Sequence, residues 1–192
     1  MNPILENIIS RRSIRNFCSE QISKDELNTI LLAGSYAPNG MGTQNWKFTA
    51  IQNPETMQKI NESIRRALLS IPIVAETHPY VTSLIKKAED KNANFLYNAP
   101  TFVIVSHLKD NGNAMSDCAL AIGNMMLAAH SLEIGACWLN QLPGLTHMSI
   151  IRELLTDLDI PDNHIVYGSV VFGYPKEKAK PASPRKDVIN II

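Results

Sequence analysis

The segment from Phe95 to Ser106 constrains the fold more than any other part of the chain. It contains Ala99-Pro100 followed by the run Thr-Phe-Val-Ile-Val-Ser, in which β-branched and aromatic residues succeed one another without polar alternation. A strand that is apolar at successive positions exposes neither of its faces to water. The sequence therefore predicts a central strand that is covered on both sides.

The segment from Asp117 to Leu132 predicts a helix that is packed on every side. It is nearly apolar around its whole circumference and rich in small residues, namely Ala119, Ala121, Gly123, Ala128 and Ala129. Small side chains also allow another helix to approach closely. Composition leaves open whether this helix lies in the core of one subunit or at a subunit interface.

Other helices and strands are mixed along the chain. Ser23 and Glu26 have capping-box spacing, which predicts a helix that Pro38 prevents from continuing much beyond Tyr36. Thr146 is placed to cap a later helix. Further helices are predicted from Asn53-Pro54 onward, at 81–92 and at 147–157, and strands at 46–51 and 164–172. Because there is no strict β-α-β alternation, we expect the α+β class. We expect one domain over residues 1–192, with a lid-like region at about 71–94 and an extended tail at 176–192.

The balance of charge limits the classes of partner. Eighteen basic and eighteen acidic residues among 192 give a formal net charge of zero. No overall field attracts nucleic acid or an anionic membrane, so an anion must be bound by local groups. The chain also lacks both common glycine-rich phosphate-binding patterns.

Cysteine usage and the N-terminus indicate a soluble cytoplasmic protein. Three cysteines, an odd number with no Cys-x-x-Cys pair, argue against a disulfide framework, an iron–sulfur cluster or a zinc site. The first residues do not follow the pattern of a signal peptide, and no apolar run is long enough to span a membrane.

The segment Arg11 to Phe17 concentrates positive charge. It reads Arg-Arg-Ser-Ile-Arg-Asn-Phe and follows a short amphipathic helix. If the segment is extended, Arg11, Ser13 and Arg15 alternate and can point the same way, which suits a phosphate. The alternative is a solvated basic turn that complements the C-terminal end of the helix dipole.

The remaining candidates for chemistry are weak. The five histidines are scattered, and none is placed with a carboxylate and a nucleophile in a recognisable order. Cys137, beside Trp138 in an apolar run, has the surroundings of a small buried residue. An enzyme built on this chain would rely on a bound cofactor for the difficult step.

Five segments together resemble the nitroreductase family of FMN-dependent flavoproteins. They follow one another in the order typical of that family and span residues 1 to about 187. The segments are Arg11-Arg12-Ser13-Ile14-Arg15-Asn16-Phe17, Ala37-Pro38-Asn39-Gly40 with Gln44-Asn45-Trp46-Lys47-Phe48, Ala99-Pro100, the small-residue helix leading to Gly135-Ala136-Cys137-Trp138, and Phe172-Gly173-Tyr174-Pro175 before a basic tail.

This resemblance implies a nitroreductase-like α+β fold, with a mostly antiparallel sheet flanked by helices, in an intertwined homodimer. Two FMN sites would lie at the interface and be lined by both chains. The segment Arg11–Phe17 and the basic tail would bind the phosphate and ribityl chain. The loop at Pro38 would come from the partner subunit, and the segment at Asn140 would lie near the reactive flavin nitrogen. The implied cofactor-binding residues are Arg11, Arg12, Ser13, Arg15, Pro38, Asn39, Gly40, Gln44, Asn92, Asn140, Gln141, Leu142, Arg185 and Lys186.

The resemblance also implies an activity. FMN would pass reducing equivalents from NAD(P)H to an electron-poor acceptor such as a nitroaromatic or a quinone, with no catalytic side chain. Alternatives are an FMN-binding or storage module without efficient turnover and a dehalogenating or dehydrogenating relative.

The chain departs from the family pattern at three places. Gly40 stands where many relatives have serine, and Asn45 where many have proline. Near Asn92, where some relatives place a lysine beside the flavin pyrimidine, the chain has Asn94 and Phe95, so the donor to that part of the flavin is left open.

Overall fold

A computed structural model describes residues 1–186 and 189–191. The described chain contains four strands and seven α-helices. The strands are β1 (Trp46–Ile51), β2 (Thr101–Leu108), β3 (Gly135–Leu139) and β4 (His164–Gly173). The helices are α1 (Pro3–Ser10), α2 (Lys24–Ser35), α3 (Pro54–Leu69), α4 (Pro79–Glu89), α5 (Ala114–Ser131), α6 (Gln141–Leu145) and α7 (Ser149–Asp157).

The strands form one sheet in the order β1-β2-β4-β3, and every neighbouring pair is antiparallel. The predicted α+β class with a mostly antiparallel sheet is therefore confirmed. β2 is a central strand, and its residues from Thr101 to His107 are all buried. Phe102 and Ile104 belong to one apolar cluster, whereas Val103 and Val105 belong to a second cluster. Because side chains alternate along a strand, these clusters lie on opposite faces of the sheet, as the sequence predicts.

α5 and α2 cover one face of the sheet. Ile122, Met125 and Ala129 of α5 and Ile30 of α2 are buried in the cluster that contains Val103 and Val105. The other side of α5 is only partly buried in the single chain, since Leu120 is exposed. α5 is therefore not enclosed on every side by its own subunit.

Helices α3, α6 and α7 supply apolar residues to the opposite face. Ile60 and Ile64 of α3, Leu142 of α6 and Ile151 of α7 belong to the cluster that contains Phe102. α4 lies against α3. The lid-like role of residues 71–94 stays a prediction.

The capping box that begins α2 forms as predicted. Ser23 Oγ accepts the Glu26 N–H at 3.2 Å, and Glu26 Oε2 accepts the Ser23 N–H at 2.7 Å. The Tyr174 hydroxyl also donates to the Glu26 carboxylate at 2.9 Å. Hydrogen bonds from Ser23, and then from Tyr174, lower the pKa of Glu26. The start of α2 is thereby fixed to the segment that follows β4.

Local expectations fail around Pro143. Residues 141–145 form α6, although the pair Pro143-Gly144 within it is typical of a turn. Pro143 is accommodated because the N–H groups of the first helical turn need no intrahelical acceptor. Thr146 does not cap α7, because its hydroxyl donates to the Pro143 carbonyl and α7 begins only at Ser149.

Other boundaries and the tail are also settled within the described residues. α4 begins at Pro79, which is favoured in a first helical turn, rather than at Val81. Residues 176–186 are exposed, and the predicted apolar end, Val188–Ile192, lies partly outside the described residues. No helix among those described combines the length and apolarity needed to cross a bilayer.

The contact between α2 and α5 requires a glycine at position 34. A Cβ at Gly34 would lie 2.8 Å from Met125 Cγ, and Met125 is completely buried. Although alanine favours helix formation, we expect Gly34→Ala to lower the free energy of unfolding by about 1–3 kcal/mol because of overpacking. Urea unfolding followed by circular dichroism measures this change.

Gly112→Ala is the matched control. A methyl group at Gly112 meets no atom within 4 Å. The control should change the free energy of unfolding by less than about 0.5 kcal/mol. If Gly34→Ala were as stable as this control, the close packing of α2 on α5 would be wrong.

Candidate active site

The arginine segment, Arg11–Phe17, is extended and lies along the sheet. Ser13 forms a parallel bridge with Ala136, and the Ile14 N–H donates to the Ala136 carbonyl at 3.0 Å. The chain then crosses to the end of β4, where Phe17 bridges Pro175. Two anchors thus fix the backbone on either side of Arg15. The segment is therefore extended, as one of the two interpretations requires, and the phosphate role that goes with it stays a prediction.

Arg11 and Arg12 have different surroundings. Arg12 Nη1 donates to the carbonyls of Ile9 and Arg11, so part of this guanidinium satisfies the C-terminal end of α1. Arg11 Nη1 is buried and has no hydrogen-bond partner among the described residues. A buried guanidinium nitrogen without an acceptor is costly, which marks this position as a place for an anion.

The arginine cavity, of about 360 Å³, lies beside these two residues. Its lining includes Arg11, Arg12, His130, Gly135 and Lys178. Burial lowers the pKa of His130, and the positive charges of Arg11 and Arg12 lower it further. The carboxylates of Glu133 and Glu177 also line the cavity, so its three cations, Arg11, Arg12 and Lys178, outnumber the acidic groups by one. The tail contributes Lys178 here.

A second cationic group surrounds Tyr97. Arg15 Cζ lies 6.0 Å from the centre of the Tyr97 ring, and Lys87 Nζ lies 5.5 Å from the same centre. Lys87 also lies over the Phe95 ring and donates to the Asn94 carbonyl at 2.8 Å. Burial lowers the pKa of Lys87. Within the described residues, no carboxylate forms an ion pair with Arg15 or Lys87.

The Tyr97 loop, Asn94–Asn98, holds this aromatic ring in place. Tyr97 and Asn98 both have positive φ angles, of 56° and 53°, which cost free energy in residues other than glycine. Asn94 Oδ1 offsets the cost by accepting the N–H groups of Leu96 and Asn98 at 2.8 and 3.0 Å. The fixed loop therefore holds the Tyr97 ring close to both Arg15 and Lys87.

The Pro38 loop, residues 37–45, lies at the N-terminal end of α5. The Gly40 N–H donates to Asp117 Oδ1 at 2.9 Å, and the Gln44 N–H donates to Asn39 Oδ1 at 3.0 Å. The side chain of Met41 is 95% exposed. A cavity of about 440 Å³ beside Gly40 contains none of the arginines of the arginine segment. Within one subunit, the Pro38 loop and the arginine segment therefore line separate cavities.

The segment after β3 contributes mainly backbone. The Leu142 side chain is buried in the core, so only its main chain can face a ligand. The Trp138 Nε1–H donates to Asn140 Oδ1 at 2.6 Å, and Gln141 Oε1 is buried without a hydrogen-bond partner among the described residues. The N–H groups of Gln141 and Leu142 lie in the first turn of α6, where backbone donors lack helical acceptors.

A family comparison accounts for this combination of features. The model of the Nitroreductase family matches residues 8–174, which include the arginine segment, the Pro38 loop and the segment after β3. The chain belongs to the nitroreductase family. The resemblance inferred from the five sequence segments is confirmed.

Relatives within the nitroreductase family include both solved structures and curated proteins. A Bacteroides fragilis nitroreductase crystallised with bound FMN is 39% identical, with a TM-score of 0.91 over 100% of both chains. An FMN reductase (NADPH) of Bacillus subtilis is 24% identical over 98% of this chain and 73% of its own length. An iodotyrosine deiodinase of Haliscomenobacter hydrossis is 24% identical over 92% of this chain and 82% of its own.

The nitroreductase residues inferred from the sequence fall into several groups in one subunit. Arg11 and Arg12 share the arginine cavity, whereas Ser13 and Arg15 are exposed on the same segment. Asn92 is exposed in the turn after α4, with its N–H bound to Asp90 Oδ1. Arg185 and Lys186 are exposed and, within the described residues, do not line the arginine cavity.

Two residues of this nitroreductase stand out only in three dimensions. In the sequence, Lys87 has the pattern of a solvated helix face. The one feature that could have indicated a contact with the Tyr97 loop is its position in the last turn of α4, seven residues before Asn94. In the sequence, Asp117 looks like an ordinary acidic residue in the first turn of a helix. In the structure, its carboxylate accepts a hydrogen bond from the Pro38 loop.

Occupation of the arginine cavity by an anion should be visible at His130. Arg11 and Arg12 lower the pKa of His130, and a bound anion would offset their charge. Adding inorganic phosphate to the flavin-free protein should therefore raise the pKa of His130. The shift is measured by NMR titration of its imidazole carbon-bound proton.

His147, which is exposed and does not line the cavity, provides the internal control. Its resonance should be insensitive to added phosphate. An unchanged or lowered pKa of His130 under saturating phosphate would contradict anion binding beside Arg11 and Arg12.

Proposed function

We propose that this nitroreductase-family protein is an FMN-dependent oxidoreductase that passes reducing equivalents from NAD(P)H to an electron-poor acceptor such as a nitroaromatic or a quinone. The observation that carries the proposal is the buried Nη1 of Arg11, which has no hydrogen-bond partner among the described residues and lies beside a cavity with more cations than carboxylates in its lining. This observation falls within the segment matched by the family, and a 39% identical relative was crystallised with FMN.

The FMN phosphate would bind at the arginine segment. A phosphomonoester carries a charge of about −1.5 to −2 near neutral pH, which suits two or three cations. Arg11 offers an unpaired donor, and Arg12 retains a buried Nε without a partner among the described residues. Ser13 and Arg15 follow on the same extended segment. Lys178 from the tail lines this cavity, and we assign Arg185 and Lys186 an auxiliary role from the tail.

Lys87 is our candidate for the donor to the flavin pyrimidine, which the sequence leaves open. Lys87 and Arg15 both lie within about 6 Å of the centre of the Tyr97 ring, and neither forms an ion pair with a carboxylate among the described residues. Fixed positive charges of this kind stabilise an anion without reorganisation of solvent. The backbone N–H groups of Gln141 and Leu142, and the side chains of Asn140 and Asn92, complete the proposed set on this subunit.

Bound FMN would supply the electron transfer, and no side chain need act as a nucleophile. The two buried thiols are unsuitable for that role. Burial, aided by the charge of Asp117, raises the pKa of Cys118 to about 12. Burial also raises the pKa of Cys137, although Arg15 and Arg11 oppose the shift. Both sulfurs therefore stay protonated at neutral pH, and thiolate chemistry is disfavoured.

The proposed active form is a homodimer. α1 has no buried residue, and Ile4 on it is 70% exposed. A groove between α1 and α5 is lined by Ile4, Ile8 and Leu127. Such an apolar surface is expensive to leave in water, and a second copy would cover it. The Pro38 loop, which lines a separate cavity in its own subunit, would then reach the FMN of the partner.

Two alternatives keep the FMN site but change the reaction. One is a flavin-binding or storage module with little turnover, and the other is a dehalogenating or dehydrogenating enzyme. The 24% identical iodotyrosine deiodinase favours the dehalogenating version of the second alternative. Steady-state oxidation of NADH and NADPH, with and without an added acceptor, separates these activities. A cytoplasmic location belongs to the same proposal and is supported by the three free cysteines.

Arg11→Ala and Arg15→Ala test the binding of FMN. Each removes a charged donor, and loss of one charge-assisted interaction of about 1.5–3 kcal/mol should weaken FMN binding roughly 10- to 100-fold. Fluorescence titration of the flavin-free protein measures this affinity. Arg66→Ala is the matched control, because Arg66 is exposed on α3.

Both variants should keep the circular dichroism spectrum of the original protein. Unchanged affinity in Arg11→Ala and Arg15→Ala would remove the phosphate role assigned to the segment. A purified protein that is colourless and fails to take up FMN would overturn the proposed function itself.

Ile8→Asp tests the dimer. This change places a charge in the apolar groove between α1 and α5. We expect the unaltered protein to have twice the mass of one chain and Ile8→Asp to have the mass of one chain. Light scattering after size-exclusion chromatography measures both masses. Leu69→Asp is the control, because Leu69 is exposed at the end of α3 on the opposite face of the sheet from α5. A dimer that persists in Ile8→Asp would contradict this interface.

A further inference from the structure

A buried acid–base pair at the start of α5 has no part in the function proposed above. His107 is completely buried at the end of β2, and Asp117 is only 3% exposed. Asp117 Oδ2 and His107 Nε2 lie 3.8 Å apart, and neither atom has a hydrogen-bond partner among the described residues. The other carboxylate oxygen, Oδ1, accepts the Gly40 N–H at 2.9 Å.

A buried carboxylate needs a physical justification. Its desolvation costs several kcal/mol, and an apolar residue of similar size often stabilises a fold as well or better. The other buried residues of α5, such as Cys118 and Ile122, are apolar. The contact that can offset this cost is the hydrogen bond that Asp117 accepts from the backbone of the Pro38 loop.

The Pro38 loop requires such an anchor. Met41, Gly42 and Gln44 all have positive φ angles, of 57°, 66° and 50°, and this conformation is costly for Met41 and Gln44. The loop is nevertheless exposed, and its internal hydrogen bonds include those from the Gln44 N–H to Asn39 Oδ1 and from the Thr43 hydroxyl to the Gly40 carbonyl. A charged acceptor on a rigid helix ties this strained turn to the core.

The Pro38 loop approaches the N-terminal end of α5 very closely at Gly40. A Cβ at Gly40 would lie 2.2 Å from Asn113 Nδ2 and 2.9 Å from Asn113 Cβ, so the backbone at position 40 touches the residue that precedes α5. Glycine at 40 thus allows the close approach that brings its N–H within reach of Asp117. Gly40 is therefore part of the contact between the loop and α5.

The imidazole of His107 supports the carboxylate from the other side. Its Nδ1 lies 3.3 Å from the Leu108 carbonyl, and its ring meets the edge of Tyr167, with 6.5 Å between the ring centres. These contacts hold Nε2 toward Asp117 Oδ2. At 3.8 Å, the distance between Nε2 and Oδ2 is longer than a direct hydrogen bond, so the imidazole limits the carboxylate's orientation by packing and by an electrostatic or water-bridged contact.

We propose that Asp117, supported by His107, is a positioning residue that holds the Pro38 loop in the shape in which it contacts FMN on the partner subunit. The proposal rests on the proposed function, because it assumes that this loop binds FMN. Asp117 itself is buried beneath the loop and does not touch the cofactor. Its contribution is the fixed position of the Gly40 backbone.

Asp117→Ala and Asp117→Asn test the proposal. Alanine removes the acceptor for the Gly40 N–H, and FMN affinity should fall roughly 10- to 100-fold because a hydrogen bond to a charged group is lost. Asparagine retains an acceptor oxygen and should restore most of the affinity. Excess FMN should return the NAD(P)H oxidation rate of Asp117→Ala toward that of the unaltered protein.

Cys118→Ala separates positioning from general destabilisation. Cys118 is the neighbouring buried residue and faces the core rather than the loop. Its truncation should lower the urea midpoint while leaving FMN affinity unchanged. If Asp117→Ala lowers only the midpoint, in the manner of Cys118→Ala, the positioning role is wrong.

A double variant covers the case in which Asp117→Ala does not fold. His107→Phe with Asp117→Leu removes both buried polar groups together, so no unpaired charge is left in the core. This variant should fold and still bind FMN roughly 10- to 100-fold more weakly than the unaltered protein. Equal affinity would overturn the proposal. If the unaltered protein binds no FMN, the proposed function fails and the positioning role falls with it.

Discussion

The burial of β2 on both faces is the constraint on which the rest of the structure depends. Phe102 and Ile104 enter one core while Val103 and Val105 enter the other, so helices must cover each side of the sheet. The order β1-β2-β4-β3 leaves the outer edge of β3 free. Ser13 and Ile14 pair along that edge, and the arginine segment is thereby presented by the sheet rather than by a mobile turn.

The burial of β2 also determines the position of the Pro38 loop. α5 packs on the sheet through Ile122 and Met125, and its first turns carry Asp117 to the Pro38 loop. Because the arginine cavity and the Pro38 loop lie apart in one subunit, a binding site that uses both needs two copies of the chain. The exposed apolar face of α1 provides a physical reason for those copies to associate. The proposed dimer and the proposed cofactor site thus depend on the same fold.

Local sequence patterns predict the parts of this structure that depend on near neighbours. The apolar run at Thr101, the capping box at Ser23 and the alternation from Arg11 to Arg15 each have a short-range physical cause. The family resemblance extended these to a cofactor, and the family match confirmed the family. α6 was missed because Pro143 and Gly144 resemble a turn, although a proline is tolerated in a first helical turn.

The remaining site features depend on contacts between distant segments. Lys87 becomes a candidate ligand only because the Tyr97 loop, with its positive φ angles, brings the Tyr97 ring close to both Lys87 and Arg15. Arg12 is partly used by α1, and the Leu142 side chain is used by the core, so neither is wholly available to a ligand. Pairings of this kind carry no periodic signal that a sequence pattern could reveal.

We propose that a locally cationic surface on a neutral chain recognises the phosphate of FMN. Titration of the flavin-free protein with FMN and with riboflavin tests it most directly, because the two ligands differ only in that phosphate. The account predicts that FMN binds at least about tenfold more tightly, and that the difference shrinks as salt is added. Equal affinities for FMN and riboflavin would contradict it.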